Sequence, residues 1–100
     1  MKYYSVLEVT PTSEDWIPAY IESANSRIAH YGGKFLARTS SHKRVEGEGK
    51  DVALRIIIEW PSKQAALDFI NDKEYSLHLK ARTEGSVSHH FLIEGKDDLG

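Results

Sequence analysis

The segment from Asp51 to Trp60, DVALRIIIEW, restricts the fold more than any other part of the chain. Side chains of a strand alternate between the two faces of a sheet, so this run divides into two sets. Val52, Leu54, Ile56, Ile58 and Trp60 form one set, wholly apolar, which suits a sheet face packed under helices. Ala53, Arg55, Ile57 and Glu59 form the other, which mixes apolar with charged residues. A sheet built around this strand has one face for a helical core and a second that is not purely polar.

The rest of the chain supplies the partners. Residues 2–10, KYYSVLEVT, read as a strand rich in aromatic and β-branched types. Pro11 to Asp15 predicts a stop followed by a helix start, with Thr12 or Ser13 as cap and Glu14 and Asp15 favoured by the helix dipole. Trp16, Ile17, Tyr20, Ile21, Ala24, Ile28 and Tyr31 then make one apolar stripe, which Gly32-Gly33 closes. A strand follows over 34–41, and the charged stretch 42–50, with Gly47 and Gly49, is a turn or loose hairpin tip. After Pro61, Ser62 caps a short helix and Asp72 a further one over 73–83, before a last strand over 86–94. The order β-α-β-β-α-β is that of the ferredoxin-like α+β fold, a four-stranded antiparallel sheet with helices on one side. The 100 residues are read as one domain over 1–95 and a polar tail over 96–100.

Strand parity sets Leu7, Val9, Phe35, Ala37, Val87, Phe91 and Ile93 beside the apolar set on the helix side. The opposite face then holds Tyr4, Val6, Glu8, Leu36, Arg38, Arg55, Ile57, Glu59, His90 and Leu92. So much apolar surface on an open face exceeds what monomers usually tolerate, so a second copy packed sheet to sheet in a homodimer is expected to cover it, the alternative being one solvated face with scattered hydrophobics.

Composition narrows the function. The chain has no cysteine, which excludes disulfides, thiolate metal sites and thiol catalysis. Thirteen basic against fifteen acidic residues leave a net charge of −2, no field for nucleic acid. RNA binding through the sheet is further disfavoured by placing Phe35 and Phe91 on the helix side. No apolar run approaches the roughly 20 residues of a membrane span, so a cytoplasmic protein is expected. His89 and His90 point to opposite faces and no two histidines share a helix at ligand spacing, so no metal site is expected.

Several motifs resemble those of the DUF1330 family, small and largely bacterial proteins of unknown function within the dimeric α/β-barrel superfamily. Tyr31-Gly32-Gly33-Lys34-Phe35-Leu36-Ala37-Arg38 is similar to its helix-to-strand signature, and Val45-Glu46-Gly47 follows at its spacing. Ile57 to Ser62 resembles its I-E-F-P-S segment, with Trp60 in place of the usual Phe. Glu74-Tyr75, Arg82 and Ile93-Glu94-Gly95 complete the likeness. The resemblance implies a homodimer of ferredoxin-like subunits and carries no defined reaction. The wider superfamily includes cofactor-independent oxygenases and isomerases, which implies acid–base chemistry on a small anionic or aromatic compound without a cofactor.

On the residues themselves, Arg38 and Glu59 share the open face. Arg38 can bind a carboxylate or enolate, and Glu59, its pKa raised by burial, can move a proton. The alternative is a structural ion network with Arg55 and Glu8. His90, with Tyr4 on the same face, suits acid–base work. Trp60, Tyr75, His78 and Arg82 either line the mouth of the cavity or pack as ordinary core with a snorkelling arginine. Two readings stay open: a small-molecule enzyme or binder using a cavity between sheet and dimer partner, and a non-catalytic dimeric effector-binding or interaction module.

Overall fold

In the computed structural model, which describes residues 1–100, the chain runs β1 (Tyr3–Pro11), α1 (Ile17–His30), β2 (Lys34–Thr39), β3 (Leu54–Trp60), α2 (Lys63–Ile70), α3 (Lys73–Glu84) and β4 (Ser86–Glu94). The strands form one antiparallel sheet in the order β2-β3-β1-β4, the ferredoxin-like arrangement with its second helical segment split in two. The split falls at Asn71-Asp72; Ser62 starts α2 and Asp72 starts α3 anew. Each accepts a hydrogen bond from a backbone N–H three residues on, Ala65 at 3.1 Å and Tyr75 at 2.8 Å, and so starts α2 and α3 separately.

β1 and β3 lie at the centre because each offers an unbroken buried set. Leu7 and Val9 stand beside Ile56 and Ile58, and Ala24 and Ile28 of α1 cover them from above. Trp60, Phe69 and Tyr75 stack in series, with ring centroids 5.3 and 4.1 Å apart. Gly33 is required here: a side chain on it would fall 2.6 Å from the Trp60 ring. Gly32, at φ +80°, makes the turn out of α1.

The start of α1 differs from the sequence expectation. Thr12 and Ser13 do not cap it. Their N–H groups both donate to the Gly85 carbonyl, at 2.8 and 3.3 Å, and tie the end of β1 to the start of β4. The helix begins at Ile17 without a side-chain cap, with Pro18 in the first turn, where the missing N–H costs nothing. The second and third strands are also shorter than expected, leaving residues 40–53 as an irregular connection.

Two strands turn their faces the other way from the expectation. In β4, His90 stands opposite Leu7 and Leu92 opposite Ser5, so both face the helices. Val87, Phe91 and Ile93 lie on the open face instead, with Phe91 67% exposed. In β2 a bulge between Phe35 and Ala37 inserts one residue and reverses the parity beyond it. Phe35 pairs with Ile58 on the helix side, Ala37 with Ile57 on the open side, and Arg38 with Ile56 on the helix side.

Candidate functional site

The helices do not fill the space above the sheet. A cavity of about 140 Å³ remains between the four strands below and α1, α2 and α3 above. It is close to the roughly 150 Å³ at which an engineered apolar cavity admits benzene. Most of its wall is aliphatic and aromatic, and neither Asp nor Glu lines it. Its polar contribution comes chiefly from Tyr20, Tyr75, Arg82 and His90, with Arg38 also at the wall.

Arg82 is the unusual member. It is 5% exposed and forms no salt bridge, although a buried guanidinium ordinarily demands a carboxylate. Its Nη1 donates to Tyr20 Oη at 2.7 Å and to Tyr75 Oη at 3.3 Å, and the two hydroxyls lie 2.7 Å from each other. Its Nε–H has no acceptor. The snorkelling arginine of the sequence reading is therefore corrected: the side chain turns inward and its charge stays inside.

Asp72 fixes the helix that carries it. One oxygen accepts from Tyr75 N–H, and the other from Arg27 Nη2 at 2.7 Å and Tyr31 Oη at 2.6 Å. These bonds hold the Asp72 carboxyl well below the usual carboxylate range, and they pin the start of α3 to the end of α1. Tyr75 is one turn into α3 and Arg82 two turns further on the same side, so the anchor orients both. Burial pushes the Tyr75 phenol up, and it stays protonated at neutral pH.

His90 sits on the floor of the cavity. Its Nε2 lies 2.8 Å from Ser5 Oγ, which also accepts from the Trp60 indole N–H at 2.8 Å. Burial, reinforced by the Arg82 charge, lowers the His90 pKa to about 4, so the imidazole is neutral at physiological pH.

The expected pairing of Arg38 with Glu59 does not form, because the β2 bulge puts them on opposite faces. Arg38 donates to Asn25 Oδ1 of α1 at 2.6 Å and stacks on Phe35, 3.9 Å from the ring centre. Glu59 stays on the open face, where it accepts from Lys2 Nζ at 2.7 Å and from Tyr4 Oη at 3.4 Å. Lys2 lowers the Glu59 pKa, the reverse of the expected rise. Arg55 pairs with Glu8 at 3.0 Å on the same face, but neither Arg38 nor Glu59 joins that pair, so the expected network of all four charges does not form. Trp60 is fully buried and belongs to the core rather than to a cavity mouth. The cavity within the chain therefore lies on the opposite side of the sheet from the chamber expected between two copies.

Of the residues singled out by sequence, the structure brings Tyr75, Arg82, His90 and Arg38 to this cavity, and leaves Tyr4, Arg55, Glu59, Trp60 and His78 away from it. Tyr20 and Ser5 were missed as functional residues. Tyr20 was visible only as one member of the apolar stripe of α1, and Ser5 only as a small polar residue at a buried strand position. No cluster of three His, Asp or Glu side chains is placed to hold a metal ion, and no helix is long and apolar enough to cross a membrane.

A family model described as a domain of unknown function, DUF1330, matches residues 2–96. No curated protein matches the chain. Among solved structures, it is similar to RPA0582, a protein of unknown function from Rhodopseudomonas palustris, with 17% identity, a TM-score of 0.76, and coverage of 96% of this chain and 83% of that one. It is also similar to SnoaB, a cofactor-independent oxygenase from Streptomyces nogalater, with 23% identity, a TM-score of 0.59, and coverage of 98% and 96%. A de novo designed protein, Foldit4, shares the fold with a TM-score of 0.62 at 8% identity, covering 96% of this chain and all (100%) of that one. Likenesses this distant describe the fold alone, and function has to come from the site.

Proposed function

The chain belongs to the DUF1330 family, and we propose that it binds a small, largely apolar molecule carrying an anionic group in the cavity between sheet and helices. Acid–base chemistry on that molecule proceeds without a cofactor. The observation that carries this reading is Arg82, buried at the wall of an apolar cavity with no carboxylate beside it. A lone buried guanidinium is costly, and a ligand anion supplies what the chain does not. Arg82 orients the anionic group, and Tyr20, Tyr75 and His90 hold or move protons around it. The cofactor-independent oxygenase among the structural neighbours is in keeping with such a reaction.

The working form is a homodimer. Val6, Ile57, Val87, Phe91 and Ile93 share the open sheet face, flanked by the Arg55–Glu8 and Lys2–Glu59 ion pairs. A second copy packed on this face removes the apolar patch from water. It also stiffens the floor of the cavity from beneath, since His90 and Phe91 are neighbours on one strand.

One observation favours a non-catalytic effector-binding module instead: no carboxylate lines the cavity to act as a base. A panel of small aromatic carboxylates, phenols and neutral analogues, screened by thermal shift, tests the binding. A rise in melting temperature with anionic members supports the proposal, and no rise with any member removes it. Incubating a hit in air and recovering it by mass spectrometry then separates the two readings, conversion marking an enzyme and unchanged recovery a binding module.

A further inference from the structure

The protons around Arg82 and His90 can be counted. Ser5 is fully enclosed, and its Oγ has two partners, the Trp60 indole and His90 Nε2. An indole N–H only donates, so the serine oxygen accepts there. Its own hydrogen has one acceptor within reach, His90 Nε2. Pairing that hydrogen requires Nε2 to be unprotonated, which puts the proton of the neutral ring on Nδ1. His90 offers the cavity a donor, and its lone pair is already in use.

The tyrosine pair gives the same answer. Tyr20 and Tyr75 share one hydrogen between their oxygens, and Arg82 Nη1 donates to both. Two hydroxyls bring two hydrogens, so one is left over without an acceptor in the chain. Arg82 adds an Nε–H that also has none. The polar end of the cavity thus combines one fixed positive charge with surplus donors from three elements, α1, α3 and β4. The charged or titratable groups at the cavity wall are Tyr20, Arg38, Tyr75, Arg82 and His90, and none of them is an acid that carries negative charge at neutral pH.

We infer that this pole is a receptor for an anionic oxygen on a small apolar body, an enolate, phenolate or carboxylate, and that the protein holds its ligand in the ionised form. The inference rests on the proposed ligand-binding function and assigns His90 a definite part within it. His90 is a hydrogen-bond donor to the bound oxyanion and not the base that creates it; the ligand's proton passes to solvent water. Ser5 and Trp60 are positioning residues that lock its tautomer.

4-Nitrophenol serves as the probe because its absorbance reports its ionisation, with 4-nitroanisole as a neutral body of similar shape and benzoate as the carboxylate arm. The bound phenol is expected to titrate about one to three units lower than in free solution. Nitroanisole is expected to bind at least tenfold more weakly than the phenolate. Arg82→Gln abolishes the shift. Should that variant fail to fold, Tyr20→Phe, which keeps the charge and removes one hydroxyl, reduces the shift and serves in its place. In nitrogen NMR of the free protein, His90 is expected to show a protonated Nδ1, and Ser5→Ala to release the tautomer. Nitroanisole binding as tightly as the phenolate, with the phenol's titration unshifted or raised, overturns the inference and leaves the cavity as a binding site. Failure of all three compounds to bind overturns the inference and the proposed function together.

Discussion

The two faces of the sheet handle polar groups in opposite ways. On the open face the charges are paired, Arg55 with Glu8 and Lys2 with Glu59, while apolar Val87, Phe91 and Ile93 stand exposed among them. On the helix face the apolar groups are buried, while Arg82 has neither a carboxylate nor an acceptor for its Nε. One face lacks apolar cover and the other lacks an anion. The first deficit is of the kind a large surface meets, and the second of the kind a small molecule meets. This contrast separates the proposed assembly surface from the proposed ligand site within a chain of 100 residues.

Substitutions of comparable size on the two faces therefore have different consequences. Trp60→Ala empties the helix side of its largest fully buried side chain and leaves Ser5 Oγ without its donor. Chemical denaturation is expected to record a loss of about 3–5 kcal/mol. A loss below about 1 kcal/mol would mean that this face is not the core. On the open face, Ile57→Glu with Phe91→Glu puts charge into the proposed contact. It is expected to weaken association roughly a hundredfold, leaving an 11.3 kDa species in sedimentation at micromolar concentration with its fold intact. If the double variant sediments like the unchanged chain, the contact lies elsewhere.

pH sharpens the contrast further. The His90 pKa is about 4 in the folded chain against 6.5 unfolded. As pH falls, the unfolded chain takes up this proton first. The stabilisation is complete above pH 6.5 and is lost as the pH drops toward 4. With some allowance for partial exposure the loss is about 2 kcal/mol. His90→Gln, which keeps an acceptor for Ser5, is expected to flatten stability over that interval. An unchanged slope would place the titrating group elsewhere. The smallest effect belongs to the paired charges of the open face: Arg55→Ala is expected to cost no more than about 1 kcal/mol in the monomer, and a larger loss in denaturation would mean that this pair anchors the fold.

How far the sequence reveals this design depends on the element. The alternation in β3 and β1 assigned their faces correctly, and Ser62, Asp72 and Gly32-Gly33 marked element ends where the structure has them. These signals are local, set by a cap, a turn or a run of side chains. β4 misled because its more apolar set, Val87, Phe91 and Ile93, was assigned to the core. Hydrophobicity cannot order the two faces of a strand when both carry apolar residues. Only the register, with His90 opposite Leu7, decides, and register is a property of the assembled sheet. β2 misled for a different reason: a bulge at Phe35–Ala37 adds one residue and reverses every face beyond it, Arg38 included. The site itself was half legible. Tyr75 and Arg82 were marked by helical spacing, whereas their meeting with Tyr20 depends on how α1 lies against α3.

The most direct measurement is the proton–nitrogen NMR signal of the Arg82 Nε–H group, followed as benzoate is added and compared with benzamide, which has a similar shape and no charge. Benzoate is expected to shift this signal strongly as the orphaned donor acquires an acceptor, together with methyl signals of cavity residues such as Ile56, and benzamide to shift it far less. Movement of the Ile56 methyl signals while the Arg82 signal stays in place would show a ligand bound away from the guanidinium and contradict the account.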